Sequence, residues 1–375
     1  MSTFSTELKE QLGQALAQVE HQLSRTKYTL KEKLQWLEPI MIMPYYGFGN
    51  ERYVYLKGRV LENEQIIEKK QGSSPLEHLR NIYKRYESDE IPGIRLKASF
   101  ADQQLELQTD DEGFFEVAFH FEQPIDYRQW GTTIRLQLLE TKTPHDQVEA
   151  LGTIFVPDSG AEYGIISDVD DTVLVSNMTH FLGRLKLLLL NDATERSPFP
   201  GIAALLRALG SGYDNQGTNP LFYVSGSEWN LFDLLIHFFR FHQIPQGPLL
   251  LRDRSDVNSI NGTHKLAHIR HILETYPHLK FICIGDSGQR DAEIYSQVVA
   301  EFGGRILGVY IRDVSDVQRD EAVQQLAHRV QQQQGVQMLL VADTLAAAEH
   351  AQSRRWINAD QLAQVRQACS NPEPL

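Results

Sequence analysis

Two aspartates separated by one residue, Asp168 and Asp170, follow an apolar run and are the first residues whose types and spacing suggest chemistry. One carboxylate of such a pair can attack a phosphorus atom, and the other can act as a general acid and base. Close carboxylates repel one another, so a divalent cation is the natural third partner. A solvated acidic turn is the alternative interpretation, which this pair alone does not exclude.

Three further polar clusters follow later apolar runs and complement this pair. Ser225 and Gly226 offer a hydroxyl and a flexible backbone that can donate hydrogen bonds to phosphate oxygens. Lys265, which opens a predicted helix, supplies a positive charge that can stabilise charge developing on a phosphoryl group. The run from Gly285 to Asp291 places a carboxylate that can complete an oxygen-rich magnesium site. Each cluster taken singly is also typical of an ordinary turn or a surface lysine.

The elements that must position these clusters are strand-like apolar runs alternating with helical patterns. The runs are Tyr163–Ser167, Leu221–Val224, Pro248–Leu251, Phe281–Ile284 and Ile306–Ile311, with Val336–Val341 as a sixth candidate. Such alternation predicts the α/β class, with a Rossmann-like parallel sheet and helices on both faces. Because ligands bind beyond the carboxyl ends of the strands in such sheets, the four clusters are predicted to share one edge.

The remaining sequence predicts three other segments around a catalytic domain at residues 158–345. Residues 1–39 carry apolar residues three and four apart, which predicts an amphipathic helix that packs on the protein, pairs as a coiled coil or lies on a membrane surface. Residues 40–157 alternate with period two and predict an antiparallel β-sandwich. Its predicted strands are Tyr53–Leu56, Ile94–Phe100, Gln104–Thr109, Phe114–Phe121 and Thr133–Leu139. Residues 346–375 are predicted to form a C-terminal helix and tail.

In their order, the four clusters resemble the motifs of the haloacid-dehalogenase-like (HAD-like) phosphatases. The longer segments around them resemble the actin-patch-type, lipin-related phosphatidate phosphatase family, and these are Asp168–Val173, Ser225–Asn230, Gly247–Asp253 and Gly285–Asp291. A weaker similarity to the family's N-terminal β-domain lies at Tyr46–Gly49 and Gly58–Val60. Glu228 departs from the family pattern, in which proline is frequent, and this puts the geometry of that loop in question.

The resemblance implies roles for individual residues. Asp168 would be the nucleophile, Asp170 the general acid and base, and Thr172 would brace the motif. Ser225, with Gly226 beside it, and Lys265 would bind the phosphate. The cofactor implied is Mg²⁺, and its expected ligands or orienting groups are Asp168, the backbone carbonyl of Asp170, Asp286 and Asp291. Arg252 is a candidate for holding a second polar group of the substrate, although a solvated loop is an equal alternative.

The expected function is therefore magnesium-dependent phosphomonoester hydrolysis through an aspartyl-phosphate. The resemblance further implies phosphatidate as the substrate, diacylglycerol as the product and a membrane surface as the place of action. Two alternatives stay open, which are a phosphatase for a soluble phosphorylated metabolite or protein and a non-catalytic phosphatidate-binding module. The paired carboxylates argue against the second alternative, because they repel an anion unless a metal is present.

Composition and charge narrow the class of protein. With 49 acidic against 36 basic residues and a formal net charge of -13, the 375-residue chain is a poor candidate for general nucleic-acid binding. The two cysteines do not suggest a disulfide framework. Neither a secretory signal nor a bilayer-spanning apolar run is apparent, so we expect a cytoplasmic protein, soluble or peripheral to a membrane. The leucine-rich segment 181–190 predicts a core helix, a lid or a lipid-touching surface.

Overall fold

The computed structural model describes residues 39–63, 90–170, 172–173, 199–253, 263–314 and 317–370. These residues divide into two compact units, of which the first contains 39–63, 90–156 and Asp253 and the second contains the rest. The predicted N-terminal helix, up to residue 38, and the leucine-rich segment 181–190 lie outside the described residues. No helix among the described residues is long and apolar enough to cross a bilayer.

The first unit is built on eight strands joined into one hydrogen-bonded sheet. The strands are β1 (Ile40–Pro44), β2 (Gly47–Gly49), β3 (Tyr53–Glu62), β4 (Arg95–Phe100), β5 (Gln103–Gln108), β6 (Phe114–His120), β7 (Thr133–Leu138) and β8 (Glu149–Phe155), with a single-turn helix α1 (Tyr127–Trp130) before β7. Their order is β1-β3-β2-β8-β7-β4-β5, and β6 pairs with β3. The five strands predicted from period-two alternation are confirmed.

The parallel pairing of β2 with β8 differs from the all-antiparallel arrangement predicted for this region. The two strands are separated by about a hundred residues, which provides the long crossover that parallel pairing needs. Neither strand is predicted from the sequence. β2 has only three residues, two of them glycine, and β8 buries only two of its seven residues, too few for a period-two pattern.

The inner face of this sheet closes over one apolar core. On β4, burial alternates along the strand, with Leu96, Ala98 and Phe100 inside as expected of a strand with one solvated face. Phe100 and Phe119 lie on strands that do not pair, yet their ring centroids are 6.0 Å apart. Opposing parts of the sheet therefore face one another across the core, which supports the proposed β-sandwich.

The second unit is built on a six-stranded parallel sheet. Its strands are β9 (Gly164–Asp168), β10 (Leu221–Glu228), β11 (Leu249–Arg252), β12 (Phe281–Asp286), β13 (Ile306–Arg312) and β14 (Met338–Val341). Neighbouring strands pair in the order β11-β10-β9-β12-β13-β14, all parallel. All six strands predicted from apolar runs are confirmed, as is the α/β class.

Helices accompany this sheet among the described residues, and six of them pack in two groups. They are α2 (Ile202–Ser211), α3 (Phe232–Phe241), α4 (Thr263–Thr275), α5 (Asp291–Phe302), α6 (Val317–Gln334), α7 (Thr344–Ser353) and α8 (Ala359–Ser370). Helices α2, α7 and α8 pack together, with α2 against β9. Helix α5 packs between α4 and α6, and α4 contacts β10 and β11.

The strand order reverses between β9 and β12. Counted within the unit, the order is 3-2-1-4-5-6, the arrangement in which ligands bind at the carboxyl ends beside the reversal. β9 and β12 are buried along their whole length, as central strands of a parallel sheet are. The last residues of these two strands are Asp168 and Asp286, so the fold places both aspartates at this point.

Candidate active site

Asp168 and Lys265 form the buried centre of the site. Asp168 ends β9 and is 1% exposed, while Lys265 lies in the first turn of α4 and is 5% exposed. The Lys265 Nζ atom lies 2.6 Å from Asp168 Oδ1 and 2.8 Å from Asp291 Oδ1. The other Asp168 oxygen, Oδ2, is buried and has no hydrogen-bond partner among the described residues. This oxygen is therefore available to a reacting group or a cation.

The turn that follows β12 brings Asp286 and Asp291 to the same place. The backbone N–H of Asp286 donates to Asp291 Oδ2 at 3.2 Å, and the N–H of Gln289 donates to Asp286 Oδ1 at 2.8 Å. A Cβ atom on Gly285 would lie 2.7 Å from both Cβ and Oδ2 of Asp291 and 2.8 Å from the Tyr295 ring. Only glycine therefore lets Asp291 approach the end of β12 this closely.

Asp170 is held by two serines from the end of β10. The Ser225 Oγ atom donates to Asp170 Oδ2 at 2.5 Å, and Ser227 Oγ lies 3.1 Å from Oδ1 and 3.3 Å from Oδ2. Ser225 is fully buried and also accepts the backbone N–H of Ser227 at 2.9 Å. The residue proposed as acid and base is thus in direct contact with the hydroxyl proposed to bind phosphate.

Glu228 and Arg252 shape the loop beside these serines. The Arg252 guanidinium donates to the Gly226 carbonyl at 3.1 Å and to Glu228 Oε1 at 2.9 Å. The glutamate that departs from the family pattern therefore anchors an arginine, which in turn fixes the Gly226 backbone. A Cβ on Gly226 would meet no atom of a described residue within 4 Å.

The charges in the site favour a bound cation. Asp168, Asp286 and Asp291 are all buried, and each offers an oxygen within 4.8 Å of the others. Burial and the negative charge of Asp291 raise the pKa of Asp168 well above its ordinary value. Burial lowers the pKa of Lys265, but Asp168 and Asp291 outweigh it and raise that pKa overall, so the ammonium stays charged.

The donor set fits a hard divalent cation. It consists of carboxylate oxygens from Asp168, Asp286 and Asp291, and such sets suit Mg²⁺ or Ca²⁺ better than zinc. The carboxylate of Asp170 is not part of this set. Its carbonyl oxygen, the atom expected at the metal, lies 3.4 Å from Gln289 Nε2.

The role expected for Thr172, which is to brace the motif, is only partly supported by the described residues. Its side chain is 1% exposed, but its hydroxyl makes no hydrogen bond with a described residue. The backbone of the segment is turned back, because Val173 N–H donates to the Val169 carbonyl at 3.0 Å. Bracing of the motif by Thr172 stays a prediction.

Three contributors to the site are not predicted from the sequence. Gln289 accepts from Lys265 Nζ at 3.1 Å, and Ser227 contacts Asp170. Both lie inside the motifs, so their proximity to the predicted residues is the signal that could have found them. Arg319, from α6, binds the carbonyls of the turn after β12, and nothing in the local sequence indicates this long-range contact.

Comparison with known proteins gives one family model and two curated relatives that match part of this chain. Residues 163–313 match the family model described as the catalytic domain of phosphatidate phosphatase APP1. Phosphatidate phosphatase APP1 of Saccharomyces cerevisiae is 29% identical over 162 residues, which cover 42% of this chain and 27% of that protein. An uncharacterized protein of Schizosaccharomyces pombe is 29% identical over 158 residues, covering 40% of this chain and 25% of that protein.

The matches cover only part of each protein, and this coverage limits the conclusions that they support. The chain spans about a quarter of the length of the curated relatives it matches. Among solved structures, a carbohydrate acetylesterase from Xanthomonas citri aligns over 77% of this chain and 72% of its own at 10% identity, but its TM-score of 0.25 supports no argument. The family match, in contrast, includes every site residue predicted from the sequence, while Arg319 lies beyond it. Over residues 163–313, the chain is similar to the catalytic domain of the actin-patch-type phosphatidate phosphatase family.

Proposed function

We propose that the chain is a magnesium-dependent phosphatidate phosphatase that forms an aspartyl-phosphate on Asp168 and releases diacylglycerol. The observation that carries the proposal is the buried cluster of Asp168, Lys265, Asp286 and Asp291, which lies at the reversal point of the sheet within the family-matched residues. The resemblance of the four polar clusters to those of the HAD-like phosphatases supports the same mechanism and the same fold family.

In the first step, Asp168 Oδ2 attacks the phosphorus of a phosphomonoester. The new bond joins this oxygen to phosphorus, the ester P–O bond breaks, and Asp170 gives a proton to the leaving oxygen. In the second step, a water attacks the same phosphorus while Asp170 takes its proton. The bond between phosphorus and Asp168 Oδ2 breaks, inorganic phosphate leaves, and the Asp168 carboxylate is restored. Ser225 and Ser227 orient Asp170 for both proton transfers.

The charge of the phosphoryl group is offset by residues that are already in place. Lys265 is held between Asp168 and Asp291, so its positive charge already lies beside the attacking carboxylate and needs no further reorganisation. Asp168, Asp286, Asp291 and the carbonyl of Asp170 would hold Mg²⁺. Bound Mg²⁺ would polarise the phosphoryl oxygens and shield the entering anion from the carboxylates.

The lipid nature of the substrate rests on the family match. APP1 is a phosphatidate phosphatase by name, and we extend that substrate to this chain, together with action at a membrane surface from the cytoplasmic side. Phosphatidate would be the partner that brings the protein to the membrane. The described residues of the site support a phosphoryl group, and the family match is what points to a lipid as the rest of the substrate.

The test is phosphate release from dioctanoyl phosphatidate and from p-nitrophenyl phosphate, each with Mg²⁺ or EDTA. We expect Mg²⁺-dependent release from both, reduced to background in Asp168→Asn. Asp360→Asn, an exposed aspartate on α8, is the matched control and should keep full activity. Acid-quenched protein from the wild type, and not from Asp168→Asn, should carry acyl-phosphate.

Other results of this phosphate-release assay would distinguish the alternative functions. Release from p-nitrophenyl phosphate alone would retain the aspartate chemistry and contradict the lipid substrate. Absence of release from both esters, combined with binding to phosphatidate vesicles, would overturn the enzymatic proposal in favour of a binding module. Release that persists in EDTA would remove magnesium from the mechanism.

A further inference from the structure

We infer that Arg319 is a positioning residue of this site, which holds the turn after β12 in the shape that directs Asp286 and Asp291 at the cation. Its Nε atom donates to the Ser287 carbonyl at 2.9 Å, and its Nη2 atom donates to the Gln289 carbonyl at 2.7 Å. Both carbonyls belong to the short turn between the two aspartates. The inference rests on the proposed function, because it assigns Arg319 to the cation site of that reaction.

The turn needs such support because it is folded tightly over Asp286. A Cβ on Gly288 would lie 3.2 Å from Asp286 Oδ1, so the middle of the turn sits directly against this carboxylate. Arg319 binds the carbonyls on either side of Gly288. It therefore fixes the part of the backbone whose position decides where Asp286 points.

A second contact fixes the orientation of the guanidinium. Its Nη1 and Nη2 atoms lie 2.6 Å and 2.8 Å from the two carboxylate oxygens of Glu293, in the first turn of α5. The hydrogen bonds with Glu293 raise the pKa of Arg319, and those with Arg319 lower the pKa of Glu293. Bidentate pairs of this kind are geometrically specific, so one planar group joins the turn to the start of the helix that opens with Asp291.

The position of Arg319 explains how it acts on the cation site indirectly, through the turn. Its partners among the hydrogen bonds described are the turn carbonyls and Glu293, while the cation-binding oxygens belong to residues that flank them. Gln289, whose carbonyl Arg319 holds, also accepts from Lys265 at 3.1 Å. A relaxed turn would therefore disturb both a carboxylate of the cation site and a contact of the lysine.

The chain contains a matched control for this arrangement. Arg270 forms a bidentate pair with Glu301, at 2.7 Å and 2.6 Å, and Glu301 lies in the last turn of the same helix α5. Arg270→Met and Arg319→Met therefore remove equivalent arginine–glutamate pairs from the two ends of one helix. Of these two arginines, Arg319 is the one whose described hydrogen bonds reach the turn of the site.

The experiment measures Mg²⁺ binding by calorimetry on metal-free protein, alongside Mg²⁺-dependent release of p-nitrophenol. Changing residues that orient metal ligands costs about 10–100-fold in affinity or activity, so we expect Arg319→Met to weaken Mg²⁺ binding by about that factor. Arg270→Met should bind Mg²⁺ as the wild type does. Arg319→Lys keeps the charge but loses the planar fork, so it should resemble Arg319→Met.

Circular dichroism and thermal unfolding establish that each variant is folded, and Arg319→Lys replaces Arg319→Met if the latter is not. Equal Mg²⁺ affinity in Arg319→Met, Arg270→Met and wild type would overturn the inference. So would recovery of full affinity in Arg319→Lys, which would assign the effect to charge alone. If the wild type binds Mg²⁺ but hydrolyses no ester, a selective loss of binding in Arg319→Met still supports this inference while the proposed function fails.

Discussion

At the scale of single residues, the negative charge buried at Asp168 is needed for the proposed activity but destabilises the metal-free folded protein. Burial and the negative charge of Asp291 raise the pKa of Asp168, so the ionised form needed for the proposed attack is disfavoured in the metal-free protein. Asp168→Asn removes this charge, and the amide oxygen can still accept from Lys265. We therefore expect the variant to be inactive and yet, in EDTA, to unfold at a higher temperature than the wild type. A lower unfolding temperature would contradict this balance of charges.

Substitution of Lys265 is expected to have the opposite effect and to lower stability. It is the cation between Asp168 and Asp291, with both ion pairs almost completely buried. Removing one partner of a buried ion pair typically costs about 3–5 kcal/mol, because the remaining charge is left uncompensated. We expect Lys265→Met to lose about this much free energy of unfolding in urea titrations with EDTA. Lys280→Met, at an exposed lysine, should change it by no more than about 0.5 kcal/mol, and an equal loss in both variants would refute the assignment.

At the scale of elements, two glycines at strand ends have different tasks. A Cβ on Gly285 would lie 2.7 Å from Asp291, whereas a Cβ on Gly226 would meet no atom of the described residues within 4 Å. Overpacking of this kind costs about 1–3 kcal/mol, so Gly285→Ala should lower the unfolding temperature. Gly226→Ala should unfold like the wild type but raise KM for p-nitrophenyl phosphate, because the methyl group enters the space proposed for the phosphate. An unchanged KM would place the phosphate elsewhere.

At the scale of elements, some features of the fold could be predicted from the sequence and others could not. Apolar runs ending in polar residues located all six parallel strands, and the rule that ligands bind at their carboxyl ends brought Asp168, Lys265 and Asp286 together correctly. The pairing of β2 with β8 and the reach of Arg319 to the turn after β12 were missed. These contacts are set by tertiary packing between distant segments, which leaves no local period or turn signature.

At the scale of the whole molecule, the net charge of -13 and the carboxylate cluster both favour cations, but in different ways. General screening of negative charge acts through ionic strength and does not distinguish Na⁺ from Mg²⁺ at equal ionic strength. A specific site acts by mass action and stabilises the folded form by RT ln(1 + [L]/Kd), about 2.7 kcal/mol at a hundredfold excess over Kd. Thermal unfolding can therefore separate the two effects.

We expect MgCl₂ to raise the unfolding temperature well beyond NaCl of equal ionic strength, with a shift that grows with the logarithm of Mg²⁺ concentration. Asp286→Asn removes a buried carboxylate of the cluster and should abolish the Mg²⁺-specific part while leaving the NaCl effect. Because the cluster lies in the second unit, the shift belongs to the transition of that unit if the two units unfold separately. Equal shifts from both salts, or an Asp286→Asn variant that responds like the wild type, would show that the carboxylates are held together by Lys265 alone.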